Sequence, residues 1–153
     1  MDWDPWIKFA HIAGAVTWLG GGLTLSLIAL RARGATEMAV LDNFAGTFSF
    51  LGLRVFTPAV VVVLVSGIWL VLAHSGDFTQ PWIALALAAF AVAFLIGVLF
   101  LSRSAMRLER MTKAGDLAAS RRALDSWLAG YAVVLVVLLF ALWDMVFKPG
   151  AGG

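Results

Sequence analysis

The chain has 153 residues, 62% of them hydrophobic, and a formal net charge of only +2. Soluble domains are about 45–50% apolar, so the surplus must face lipid, and a mean hydropathy of +0.96 agrees. The absence of cysteine excludes disulfides, thiolate metal sites and cysteine nucleophiles, and the weak positive charge gives no sign of nucleic-acid binding.

A helix needs roughly 20 apolar residues to cross a bilayer, and four stretches supply them. The opening Met1-Asp2-Trp3-Asp4 is acidic where a secretory leader would be basic. Span one, about residues 6–30, is therefore expected to be retained. The connection 31–54 holds the breakers Gly34 and Gly46 among the apolar Phe44, Phe48, Phe50 and Leu51; it is expected to lie partly as an interfacial helix. Span two, about residues 55–73, opens beside Arg54 with Thr57-Pro58, and proline is ordinary in a first helical turn. Span three, about residues 82–101, is expected to continue as a cytoplasmic helix through Met111 and to stop at Gly115. After this second connection, 102–126, span four covers about residues 127–147, entered from Ala118, and the glycine-rich tail from Pro149 is expected to be disordered. Only helices satisfy the backbone of such segments in lipid. The fold expected is all-α: a polytopic membrane protein, one four-transmembrane-helix bundle over residues 1–153.

Charge orients the bundle. Arg31, Arg33 and Arg54 flank the first connection, and Arg103, Arg107, Arg110, Lys113, Arg121 and Arg122 fill the other long one. The stretch from Ala73 to Pro81 has no Lys or Arg. Cytoplasmic loops carry the excess of basic residues, so both termini are expected outside. Trp3, Trp6, Trp69, Trp82 and Trp143 fall near the outer boundary and Trp127 near the inner one, as interfacial anchors do. Trp6-Ile7-Lys8 and Trp82-Ile83-Ala84 open the two hairpins alike, a faint sign of duplication.

His11 is the sharpest functional candidate. Ionisable groups within a span usually face the bundle interior, and neutral imidazole suits haem iron or copper. Helical spacing puts Lys8, His11, Ala15, Trp18 and Gly22 on one stripe. The competing reading is an interhelical hydrogen bond from His11 to a hydroxyl such as Ser66 or to a backbone carbonyl. The other histidine, His74, ends span two and is either an interfacial residue or a second ligand near His11. Asp144 lies one turn before Lys148: the two form an i,i+4 pair, or Asp144 is a counter-charge to Lys8. No catalytic nucleophile–base set, phosphate loop or carboxylate pair is legible.

The motif Trp6-Ile7-Lys8-Phe9-Ala10-His11-Ile12, followed by Trp18 and Gly20-Gly21, resembles the first span of the bacterial four-helix protoporphyrinogen IX oxidases that bind haem b. Arg54-Val55-Phe56-Thr57-Pro58-Ala59, then Gly67 and Trp69, is similar to their second span. Trp82, the arginine-bearing end of span three and Lys148-Pro149 are similar in position. The same pattern occurs in copper resistance protein D-like domains and in related four-span proteins of unknown function, the branch this chain most resembles. The resemblance implies a bacterial inner membrane and a haem ligand at His11, with Lys8 matching the family's lysine three residues earlier. It departs at Ala84-Leu85-Ala86, where the oxidase has a lysine, and at Ser126 to Val133, where it opens on Asn-Glu-x-Pro. Enzyme activity is left open.

Two functions follow. In the first, the bundle binds haem b through His11, with Trp18 against the ring, Lys8 near a propionate, and His74 or Met145 as second ligand, serving redox or electron transfer. In the second, it is a non-catalytic membrane subunit or scaffold in which His11 ties helices together and the glycines from Gly14 to Gly22 meet a partner subunit or a second copy. Copper handling ranks third, because methionine and histidine do not cluster within the spans.

Overall fold

A computed structural model describes residues 3–74 and 77–150. Four long helices make up the fold: α1 (Asp4–Arg33), α2 (Met38–His74), α3 (Pro81–Lys113) and α4 (Leu117–Phe147). No strand occurs among the described residues. Each helix has 30–37 residues, about 45–55 Å at 1.5 Å per residue. That exceeds the roughly 30 Å hydrocarbon thickness, so each helix is longer than the apolar layer is thick.

Local chemistry sets the ends. Pro5 and Pro81 stand in the first turns of α1 and α3, where the missing N–H costs nothing. Gly115 takes φ +74 after α3, a left-handed step that suits glycine. Asp116 then caps α4, its carboxylate accepting the Ala119 N–H at 2.8 Å. α2 widens into a π-helical turn at Gly52–Phe56, just before Pro58. Proline has no N–H for the carbonyl one turn back, and the wider turn absorbs the mismatch.

The connection 31–54 differs from expectation. Only residues 34–37 separate α1 from α2, and the segment expected to lie along the interface is the first half of α2. Leu41, Phe44 and Ala45 are buried there, in the same apolar core as Leu108, Leu124 and Trp127. Gly46 breaks nothing: it lies mid-helix with open space around its Cα. Packing of the Phe44 face outweighs the roughly 1 kcal/mol preference against helical glycine.

α1 packs beside α2 and α4, α4 beside α3, and the first half of α2 against the last part of α3. Lipid exposure dominates: only 17–28% of each helix's most apolar window is buried. Trp3, Trp6, Trp69 and Trp143 are exposed as membrane anchors would be, but Trp127 is not. It is buried between Phe48, edge-on at 4.7 Å, and Tyr131, stacked at 5.4 Å. At the basic end Arg33 meets Asp125 at 2.7 Å and Arg121 donates to the Ala35 carbonyl at 2.6 Å, tying the α1–α2 turn to α4. The tail residues 151–153 lie outside the described residues.

Candidate functional site

The α1–α2 seam is built from small residues. A Cβ on Gly14 would stand 2.9 Å from Val63 Cγ2 and 3.1 Å from the Ala59 carbonyl oxygen, so the helices cross tightly there. One turn earlier, half-buried His11 lies over Gly67 of α2, where a Cβ would be 3.1 Å from the imidazole Cε1. His11 Nδ1 is 3.0 Å from the Val63 carbonyl and 3.0 Å from Ser66 Oγ. A carbonyl only accepts, so Nδ1 carries the hydrogen. Ser66 Oγ gives its own hydrogen to the Val62 carbonyl and offers His11 a lone pair. The interhelical hydrogen bond weighed from sequence therefore exists, and in the neutral ring the free lone pair is the one on Nε2.

The stripe from Lys8 to Gly22 does not meet a single neighbour. Trp18 is in the core, edge-on to Phe90 of α3 at 5.8 Å. Its carbonyl accepts the Tyr131 hydroxyl of α4 at 3.2 Å. Gly22 makes room for that phenol: a Cβ there would be 1.5 Å from Tyr131 Oη. Gly14, Gly21 and Gly22 thus serve contacts within the chain, Gly21 against Phe56. Trp18 and His11 face different helices, and Trp18 is not a wall beside the imidazole.

At the end bearing the chain termini, Lys8 is exposed. It lines a shallow groove with Asp4, Pro5, Phe9, Ile12 and His74. His74 Nε2 is 3.5 Å from Asp4 Oδ2, and its Nδ1 is 3.0 Å from the Leu70 carbonyl. The structure therefore pairs His74 with α1 through Asp4 rather than through His11. Lys148 does not pair with Asp144: its ammonium lies 5.1 Å from the Trp82 ring centroid. Asp144 is fully buried, and among the described residues neither of its carboxylate oxygens has a hydrogen-bond partner. Met145, half-buried, follows it on α4. Among the described residues, no three His, Asp or Glu side chains converge as a metal site.

Four apolar, lipid-exposed helices define the class of protein, and the family model described as predicted integral membrane protein (DUF2269) matches residues 5–149. The chain belongs to this family. No curated protein and no solved structure matches it.

Three features of this DUF2269 member bear on the site beyond the residues singled out from its sequence, and two of them leave a signal in it. The Val63 carbonyl leaves no side-chain signal. Tyr131, the sole tyrosine, was findable, because it follows Trp127 by four residues on the inward stripe of α4. Asp144 extends that stripe through Val134, and its burial follows from carrying the period outward instead of counting residues from the helix end.

Proposed function

We propose that this integral membrane protein binds haem b through His11 Nε2. The observation that supports it is the bond from His11 Nδ1 to the Val63 carbonyl at 3.0 Å. Metal-binding histidines commonly donate their second N–H to a carbonyl, which fixes the tautomer and ring orientation. His11 is the one axial ligand these residues would offer. His74 is engaged with Asp4 and Trp18 belongs to the core, so neither is included, and nothing brings Met145 to the ring. Lys8, exposed one turn before His11, would meet an acidic group such as a propionate. Haem would supply one-electron redox chemistry; the chain's part is to hold it at the membrane boundary, which we place on the outer face of a bacterial inner membrane.

The same hydrogen bond favours a second reading, a scaffold in which His11 does no more than join α1 to α2. Copper handling has less support, since the donors do not cluster among the described residues. The absorption spectrum separates the readings. Protein purified from haem-replete cells should show a Soret band that His11→Ala removes while expression is kept. Lys8→Met, which keeps the apolar stem, should weaken haem affinity or shift the reduction potential. A colourless protein that also fails to take up added haem would leave the scaffold as the function. Full haem retention by His11→Ala would sink the ligand assignment.

A further inference from the structure

We propose that Asp144 is a proton-binding site, a carboxyl group that holds its proton inside the bundle and exchanges it at the end bearing the chain termini. Asp144 has 0% exposure, and both its oxygens lack a hydrogen-bond partner among the described residues. An ionised carboxylate in that condition, enclosed by the bundle without a partner, is disfavoured. Protonation removes the charge and converts one oxygen into a donor. Intramembrane carboxyl groups that face the interior mark proton and ion pathways.

The position follows from helical register. Residues Trp127, Gly130, Tyr131, Val134 and Asp144 share the buried stripe of α4. Tyr131 stands level with Trp18 and Gly22 of α1. α1 and α4 run antiparallel, so 13 residues outward on α4 (144 − 131) correspond to 13 residues back on α1, between Pro5 and Phe9 (18 − 13 and 22 − 13). The titratable groups described at this end are Asp4, Lys8 and His11 on α1, His74 on α2, Asp77 in the loop and Lys148 after α4. α3 offers none between Pro81 and Leu101. His11 is bonded to α2, His74 lies at Asp4, Asp77 bonds Thr79, and Lys148 lies on Trp82. Lys8 lines the exposed groove. No counter-ion among the described residues reaches Asp144, which leaves the proton as its ligand.

The chain also closes this end. Lys148 turns left-handed at φ 44, and its N–H bonds the Asp144 carbonyl at 2.8 Å. Gly150, at φ +80, lies against Pro81, where a Cβ would be 3.1 Å from Pro81 Cγ. The last turn therefore folds across the start of α3, at the end of the bundle where the carboxyl is buried one helical turn from water. Exchange needs that turn to lift.

The test uses the full chain in liposomes at neutral pH. Apolar dicyclohexylcarbodiimide reacts with protonated carboxyl groups in apolar surroundings; a water-soluble carbodiimide reports exposed ones. Peptide mass mapping should find the apolar reagent on Asp144 well ahead of the exposed Asp77 and Asp116, with the water-soluble reagent showing the reverse preference. The infrared spectrum should contain a protonated-carboxyl C=O stretch that Asp144→Asn removes while the melting curve stays intact. Absence of the apolar adduct from Asp144 in folded protein would overturn the proposal. So would equal labelling by both reagents, or a spectrum with ionised carboxylates only. Haem content plays no part in either measurement, so failure here is distinct from failure of the haem reading.

Discussion

Replacing Gly22 with alanine should destabilise the bundle, while the same change at Gly20 should not. An alanine Cβ at position 22 would lie 1.5 Å from Tyr131 Oη and 2.0 Å from its Cζ. The phenol would have to leave its slot and give up the 3.2 Å bond to the Trp18 carbonyl. Overpacking costs about 1–3 kcal/mol, and the lost hydrogen bond about 0.5–1.5. Alanine's advantage over glycine in a helix returns about 1 kcal/mol. The net loss is roughly 0.5–3.5 kcal/mol, centred near 2. At Gly20 no atom lies within 4 Å of the added carbon, so only the propensity gain of up to about 1 kcal/mol remains. SDS-driven unfolding in mixed micelles, followed by helical circular dichroism, measures both. Tyr131→Leu should abolish the penalty of Gly22→Ala in a double-mutant cycle. Equal effects at the two glycines, or a Gly22→Ala cost that persists without the phenol, would refute the packing argument.

Removing the α4 cap with Asp116→Ala should cost about 0.5–2 kcal/mol, read in the same unfolding assay, because the carboxylate accepts the Ala119 N–H. In the α2–α3 loop, the Thr79 hydroxyl at 2.6 Å and its N–H at 2.9 Å hold the Asp77 carboxyl below its ordinary value. A depressed carboxyl contributes stability above its unfolded pKa, about 3.9, and loses it as pH falls through the folded value. Thr79→Val should therefore raise the Asp77 midpoint in a carboxyl NMR titration; an unmoved midpoint would dismiss the hydroxyl as its cause. A reporter fused after Gly153 should be active only if it is of the kind that works outside the cytoplasm. Activity of a cytoplasmic reporter there would reverse the orientation and place His11 and His74 on the inner face.

Much of this protein is determined along the chain. The apolar windows alone require helices, since lipid offers the backbone no other partner. Gly115 and Pro81 mark helix boundaries because their backbone limits act locally. His11 stands out because a lone imidazole in a span is costly wherever its neighbours are. What each inward residue touches depends on helix rotation and crossing, and these are collective. The first half of α2 is helical because Leu41 and Phe44 enter a core shared with α3 and α4, a gain no local pattern records. His11 bonds the Val63 carbonyl, 52 positions away, because Gly14 and Gly67 let α1 and α2 approach. Asp144 is buried because antiparallel packing carries the α4 stripe to the end of the bundle, where the last turn folds against α3. Composition and periodicity thus decide that four helices form; close packing decides how far α2 extends and which face of each helix is spent on its neighbours, because only the assembled bundle sets the distances between them.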